Sequence, residues 1–329
     1  MKRPLLLPLV PLYRAIVKSR NYAFDHEPYR THSLKRATIS VGSLSAGGAG
    51  KTPVVLALAA LLTENGYTAD ILTRGYGRHS KAIEQVDPAG PVARFGDEPI
   101  MLARQTGLPV YVGADRLAAG QLAEQRQPGP HHLHLLDDGF QHRRLRLSVN
   151  LVLLTREDLR DTLLPAGNLR DPLENLVRAS VIVVREEEAN DVLPFLATLP
   201  HKAAIWTIRR ELHLAEKTQR AFAFCGLARP ENFFTMLARS GVSLAGTMHF
   251  RDHHAYTPQD LPALLRRARS VNAGGWVVTA KDRVKLDAPM LALLQQVGPV
   301  HVAELTVTFT DPGHTLRELE AMIVKDLHG

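Results

Sequence analysis

Ser43-Leu44-Ser45-Ala46-Gly47-Gly48-Ala49-Gly50-Lys51-Thr52-Pro53 sets three glycines, an ammonium and several hydroxyls in eleven residues. The run Ala37-Thr38-Ile39-Ser40-Val41 before it reads as a strand, and Val54 to Leu62 after it as a helix. Glycines lack a Cβ, so Gly47, Gly48 and Gly50 let backbone N–H groups close around a polyanion at a helix N-terminus. The spacing assigns Lys51 to the outer phosphates of a nucleotide and the Thr52 hydroxyl to Mg²⁺. Ser45, Ala46 and Ala49 complete the cradle, so a nucleoside triphosphate and Mg²⁺ are the expected ligands. The strict pattern has glycine where this chain has Ser45, and the alternative is a flexible turn with a chance Gly-Lys-Thr. The strand before and the helix after favour the phosphate cradle. Ala46 argues against the ATPase class that carries a second signature lysine at that position.

Further groups follow strand-like runs. Leu133-His134-Leu135-Leu136 ends in Asp137-Asp138-Gly139, where P-loop proteins place a second magnesium-handling carboxylate. Adjacent acids repel without a cation, so a metal gives a reason for both, although Asp-Asp-Gly also suits a solvated turn. Asp97 and Glu98 open a helix and suit either chemistry or simple capping. Thr73-Arg74-Gly75-Tyr76-Gly77-Arg78 reads as a basic loop that covers a phosphate or sugar, or as a turn. Arg170, in the loop Leu163 to Pro172, suits a transferring phosphoryl group or a plain surface ion pair. Phe250-Arg251-Asp252-His253-His254-Ala255-Tyr256 is a poor zinc site, because adjacent histidines do not readily share one ion; histidine beside an acid suits general-base work. Thr279-Ala280-Lys281-Asp282 is a charged cluster after a strand. His131-His132-Leu133-His134 alternates across a strand and suggests no chemistry of its own.

These groups need a scaffold. Strands are expected at Thr38–Leu44, Ala69–Thr73, Val110–Gly113, Leu133–Leu136, Val149–Leu154 and Val181–Val184, with helices at Pro53–Asn65, Glu98–Thr106 and Arg116–Arg126. That alternation predicts an α/β fold of P-loop NTPase type: a mostly parallel sheet with helices on both faces and ligands at the C-terminal strand ends. Ala203–Leu214 reads as an extended connector. A second, smaller α/β domain is expected from about 215, with strands at Ala221–Cys225, Trp276–Thr279 and Val300–Phe309. Its helices are expected at Pro230–Ser240, Thr257–Val271 and Thr315–Leu327. The organisation is thus an N-terminal segment 1–36, a P-loop domain 37–214 and a smaller domain 215–329.

The 329 residues suit two domains, and a single cysteine, Cys225, precludes an internal disulfide and suits a reducing compartment. Residues 1–36 hold eight cations against two acids, a local +6 out of the formal +7. Leu5, Leu6, Leu7, Leu9, Leu12 and Ile16 are woven among them. Such a segment suits the surface of an anionic membrane; a core-packing helix and a cleaved signal are the alternatives, the latter opposed by Pro8, Pro11 and the lack of a cleavage site. Aromatic content of 6% and the absence of any nucleic-acid module argue against nucleic acid. No obligate protein partner is expected.

Together, SAGGAGKTP, TRGYGR, GDEP, DDGFQHRRL, LLPAGNLRDP, FRDHHAY and TAKD, in this order across most of the chain, resemble the tetraacyldisaccharide 4′-kinases of Gram-negative bacteria. Ser45 is then ordinary, since that family commonly has a small hydroxyl residue there. The resemblance implies ATP-dependent phosphorylation of the 4′-hydroxyl of a tetraacylated glucosamine disaccharide 1-phosphate, a lipid, at the cytoplasmic face of the inner membrane. It implies two α/β domains joined by a two-stranded linker. It makes Asp97 the base, with His253 or its neighbour His254 orienting it. It gives magnesium to Thr52 and Asp137, with Asp138 and Glu98 as further candidates, and sets Gln141 and Arg170 against nucleotide or substrate phosphate. Asp171 and Ala280 depart from the family's usual glutamates. The rivals are a GTPase switch or carrier, which would need the Asn that precedes Lys in a guanine-reading element and is missing at Ala280, and a binding module that has lost catalysis.

Overall fold

The computed structural model describes residues 3–126, 132–215, 219–252 and 254–328. Its strands are β1 (Thr38–Ser43), β2 (Thr68–Thr73), β3 (Glu84–Gln85), β4 (Val110–Val112), β5 (His132–Asp137) and β6 (Val149–Leu154). They continue as β7 (Val181–Arg185), β8 (Ala204–Leu214), β9 (Ala221–Cys225), β10 (Leu244–His249), β11 (Gly275–Thr279) and β12 (Val300–Phe309). The helices are α1 (Val10–His26), α2 (Lys51–Glu64), α3 (Val92–Phe95), α4 (Asp97–Thr106), α5 (Arg116–Arg126) and α6 (Ala189–Leu196). Then come α7 (Pro230–Arg239), α8 (Leu261–Ser270), α9 (Ala280–Arg283), α10 (Ala288–Leu294) and α11 (Pro312–His328).

The strands form one sheet in the order β10-β9-β11-β12-β8-β7-β6-β1-β5-β2-β4-β3. Among the described strands, β3 with β4 and β8 with β12 alone pair antiparallel. Two parallel blocks therefore meet at the β8–β12 ribbon, in register from Leu214 with Ala303 to Ile208 with Phe309. The extended connector expected at Ala203–Leu214 is this long strand. Its side chains alternate between exposed and half-buried over Arg209–Leu214, with Trp206 and Ile208 buried, as a strand with one wet face requires.

The central strands β1, β5, β6 and β7 are almost wholly buried, as their continuous Val, Ile and Leu runs demand when helices cover both faces. On one face Ile39, Val41, Leu135 and Leu151 pack with Val54, Leu58 and Leu62 of α2 and with Leu319 of α11. On the other, Val152, Leu154 and Val184 pack with Val192 and Leu196 of α6. Close approach at the middle of the sheet sets the residue sizes. A Cβ on Gly42 would lie 2.5 Å from the Phe140 Cβ, and one on Gly139 would lie 2.3 Å from the Ser40 Oγ. The turn after β5 thus lies directly across β1, which brings Asp137 and Asp138 to the glycine loop.

Several elements differ from expectation, some for evident local reasons. Helix α8 starts at Leu261, not Thr257, because the Asp260 carboxylate accepts the Thr257 N–H (2.8 Å) and hydroxyl (3.0 Å) and closes a turn first. Strand β10 escaped the sequence because Leu244-Ala-Gly-Thr-Met-His carries only weak alternation. Residues 10–26 form a long helix whose Val17 and Asn21 are buried, while Leu12 and Ile16 are exposed.

Candidate active site

The glycine loop leaves β1 and turns through left-handed φ angles at Gly47 (68°), Gly48 (67°) and Gly50 (88°) before α2 begins at Lys51. An L side chain is strained at such angles, so the three glycines answer to backbone geometry. The loop is braced from below. The buried Arg185 guanidinium at the end of β7 donates to the Ala49 carbonyl and, at 2.7 Å, to Glu188. It is braced from the side as well: Ala46 N–H donates to the Asn168 carbonyl (2.8 Å) and Arg170 N–H to the Leu44 carbonyl (2.7 Å). The Leu163–Pro172 loop therefore runs alongside the glycine loop, which explains how Arg170 reaches the site.

Three charged groups converge there. The Arg170 guanidinium binds Asp138 with two hydrogen bonds of 2.8 and 2.6 Å. The Lys51 ammonium lies 3.4 Å from the same carboxylate and donates to Ser43 Oγ at 3.2 Å. Burial pushes the Asp138 carboxyl up, but the hydrogen bonds and charges of Arg170 and Lys51 outweigh it and hold it well below the usual carboxylate range. Asp138 has φ 55°, a left-handed angle that turns its side chain back toward the loop. Gln141 donates its Nε2 to the Ser43 carbonyl (3.0 Å), so in this arrangement its amide braces the end of β1.

Asp137 behaves differently from its neighbour. It is buried, receives only a 3.4 Å contact from the Thr73 hydroxyl, and its Oδ1 has no hydrogen-bond partner. Burial, then Glu98 and Asp138, push its pKa up from 3.8 to about 7. An orphaned buried carboxylate oxygen beside the first turn of α2, which carries Thr52, suits an oxygen-loving cation such as Mg²⁺. A carboxyl raised on folding contributes its stability in full below its unfolded pKa of about 4, and loses it as pH rises through about 7. Without divalent cations, the melting temperature should fall between about pH 5 and 7.5, and Asp137→Asn should flatten that fall. Scanning fluorimetry across this range checks it, and parallel curves for the two proteins would contradict it.

The second block reaches the same place. The Lys281 ammonium of α9 lies 3.0 Å from Glu98 and 3.6 Å from Asp252. Burial opposes its charge, but Glu98, Asp97 and Asp252 prevail and raise its pKa. Lys285 lies 3.8 Å from Asp97 and 3.1 Å from Asp282. Asp97 is buried at the start of α4, where its Oδ1 accepts the Glu98 N–H (2.9 Å). Arg229 packs against Gly48 and pairs with Glu157 at 2.6 Å. The segment holding Asp252 is thereby brought to the Asp97–Glu98 turn. His253 lies outside the described residues. His254 points its Nε2 at Asp260 (3.1 Å) and stacks on Phe250.

A basic group flanks the acids. Arg116 is buried and its pKa is lowered, first by burial and then by the charge of Arg74. Burial, followed by Arg116, drops His142 to about 4, so its ring is neutral at neutral pH. Asp282 is fully buried and caps α9 with Thr279: it receives the Thr279 hydroxyl (2.6 Å), the Gly226 N–H and the Tyr256 hydroxyl (both 3.0 Å). It is in no position to read a guanine, which removes the basis of the switch reading. Asp171, the departure from Glu, accepts from Asn175 (2.7 Å) and Arg178 (3.2 Å) in a buried network that the shorter acid fills. Arg185, Lys285 and Arg116 were not singled out from the sequence. Arg185 and Lys285 reach Ala49 and Asp97, far along the chain, so no local spacing marks those contacts.

The family described as tetraacyldisaccharide-1-P 4′-kinase matches residues 2–324. A tetraacyldisaccharide 4′-kinase of Koribacter versatilis is 38% identical over 326 residues, covering 96% of this chain and 98% of its own. Its counterpart in Geobacter metallireducens is 34% identical, covering 96% and 95%. The crystal structure of LpxK from Aquifex aeolicus in complex with ATP superposes with a TM-score of 0.75 at 30% identity, covering 98% of this chain and 99% of that one. The chain belongs to the tetraacyldisaccharide-1-P 4′-kinase family.

Proposed function

We propose that this chain transfers the γ-phosphoryl group of ATP to the 4′-hydroxyl of a tetraacylated glucosamine disaccharide 1-phosphate, working on the cytoplasmic face of the inner membrane. The observation that carries this reading is the convergence of Lys51 and Arg170 on Asp138 directly beside a glycine loop that opens α2. Two cations already held in place are what a triphosphate needs, because phosphoryl transfer depends mainly on positioning and charge neutralisation.

The reading assigns the following roles. Backbone amides of residues 47–52 hold the polyphosphate. Lys51 and Arg170, pre-oriented by Asp138, neutralise the transferring group. Asp97 accepts the 4′-hydroxyl proton, and His253 of the other block orients it, an assignment that rests on the family resemblance. Thr52 and Asp137 would hold Mg²⁺, with Asp138 and Glu98 near; when bound, the ion offsets charge on the outer phosphate oxygens. Arg116 and Arg74 offer positive charge to an anionic acceptor. The smaller block, clamped through Lys281 and Lys285, forms the second wall of the cleft. The organisation into segment 1–36, domain 37–214 and domain 215–329 remains part of this reading.

A lipid acceptor calls for an enzyme that meets a surface. No helix among the described residues is long and apolar enough to cross a membrane. Instead Leu9, Leu12 and Ile16 are exposed at spacings that set them along one side of α1, with Leu5 exposed ahead of them and Arg14 and Lys18 among them. Leu12→Glu with Ile16→Glu should abolish co-sedimentation with phosphatidylglycerol vesicles, and added salt should weaken it in the unmodified chain. Equal sedimentation of both proteins would reject the surface role.

The direct assay of function mixes the protein with γ-labelled ATP and the lipid acceptor. Label should appear in a bis-phosphorylated lipid. Label released only as inorganic phosphate would overturn the kinase reading.

A further inference from the structure

The lower halves of β2 and β5 carry a second polar cluster, away from the cleft. The two strands run parallel with Thr68 opposite His132 and Asp70 opposite His134. Side chains alternate along a strand, so these four share one face. That face is otherwise apolar: Leu72, Tyr111 and Leu136 lie on it under Ala119 and Ala123 of α5. Asp70 and His134 are fully buried and His132 is 5% exposed. A carboxylate and two imidazoles in such a place carry a heavy desolvation cost unless something answers it.

The contacts show what would answer it. His132 Nε2 lies 2.7 Å from Asp70 Oδ2. His134 Nδ1 lies 2.9 and 3.0 Å from the two Asp70 oxygens. One donor atom from each of the three residues falls within 4.8 Å of the others. The outward ring nitrogens also face oxygens. His132 Nδ1 lies 3.2 Å from Thr68 Oγ1, and His134 Nε2 lies 3.5 Å from Glu124 Oε1. Glu124 is itself held by the backbone N–H groups of Lys35 (2.6 Å) and Arg36 (3.2 Å).

Counting protons exposes a mismatch. A neutral imidazole has one N–H. If both rings are neutral and donate to Asp70, the buried His134 Nε2 is a bare lone pair 3.5 Å from the Glu124 carboxylate, and either an imidazolium or a bound cation must answer it. A cation between the inner nitrogens and Asp70 removes the mismatch. The protons then move outward, His132 Nδ1–H to Thr68 and His134 Nε2–H to Glu124. Metal-bound histidines characteristically hand their second N–H to a carboxylate or similar oxygen in this way.

We propose that Asp70, His132 and His134 form a structural site for a zinc-class divalent transition metal, with Glu124 and Thr68 as its outer supports. Two nitrogens and a carboxylate suit zinc or cobalt, and not magnesium. Ligands at about 2.0 Å in a tetrahedron lie about 3.3 Å apart, so the 2.7–3.0 Å separations of each histidine nitrogen from Asp70 need open by only a few tenths of an ångström, and the two nitrogens, within 4.8 Å of one another, need at most draw together. The three residues supply three donors, which leaves the fourth tetrahedral position to a water. Such an ion would pin β2 to β5, the strands whose upper ends present Thr73 and Asp137.

The test uses the full-length chain freed of any affinity tag, stripped with a chelator and then titrated with Zn²⁺ or Co²⁺. The unmodified chain should take up one equivalent that survives gel filtration, show the visible absorption of tetrahedral Co²⁺, and melt at higher temperature with Zn²⁺. Excess Mg²⁺ should not compete. His132→Gln should lose the equivalent. Glu124→Gln, which changes only an outer support, should bind about 10- to 100-fold more weakly. If the unmodified chain retains no metal and its melting temperature ignores Zn²⁺, the cluster is a hydrogen-bond network and the proposal is wrong. Uptake that persists unchanged in both variants would place the ion elsewhere and would equally overturn it.

Discussion

Asp97→Asn should lower kcat by about 10²- to 10⁴-fold, the range that a lost general base costs. The substitution separates chemistry from architecture. Asp97 is the first residue of α4 and its Oδ1 accepts the Glu98 N–H. Asparagine keeps that acceptor and almost the same shape, so a residue serving only as a helix start would leave turnover unchanged. Lys281 keeps Glu98 at 3.0 Å when the Asp97 charge is removed, so a contact between the blocks persists. The KM for ATP should hold within about threefold, because the polyphosphate is gripped at the other side of the cleft. Steady-state kinetics with a parallel melting curve decide it. Turnover within threefold of the unmodified chain would remove Asp97 from the chemistry.

Lys51→Ala should have an effect of similar size, about 10²- to 10³-fold in kcat, and should also raise the KM for ATP. Lys51 is mostly buried at the head of α2, aimed at Ser43 and Asp138. Its removal leaves Asp138 with the two hydrogen bonds from Arg170, so the site should keep its shape while losing a charge where the transferring group sits. Lys51→Arg should not rescue the loss, because a planar fork cannot replace a point charge in a cradle this close. Kinetics on both variants check this, and undiminished turnover in either would contradict the assignment.

What could be seen from the sequence depended on range. The strands at Val149–Leu154 and Val300–Phe309 and the helix at Arg116–Arg126 lie where their residue patterns place them. Central strands such as β1 and β6 announce themselves through uninterrupted apolar runs, and Gly50-Lys51-Thr52 through its spacing. Asp138 was legible as an acid at a strand end, but its pairing with Arg170, 32 residues on, was not. Strand β8 looked like a connector because the partner of its second half, β12, lies about 90 residues later, and only its first half pairs with the nearby β7. Lys285 and Arg185 gave no signal for the same reason: their worth lies in what folding brings beside them. The alternating histidines of β5 seemed bland because Asp70 and Glu124 stand on other elements.

The central claim is that amide hydrogens and the Lys51 ammonium grip a polyphosphate so that a sugar hydroxyl can take its terminal group. A crystal structure of the chain with Mg²⁺ and a non-hydrolysable ATP analogue tests this most directly. It should show the β- and γ-phosphates within hydrogen-bond distance of the backbone N–H groups of residues 48–52 and of Lys51 Nζ. An analogue bound elsewhere, or a glycine loop that stays closed to it at saturating concentration, would contradict the account.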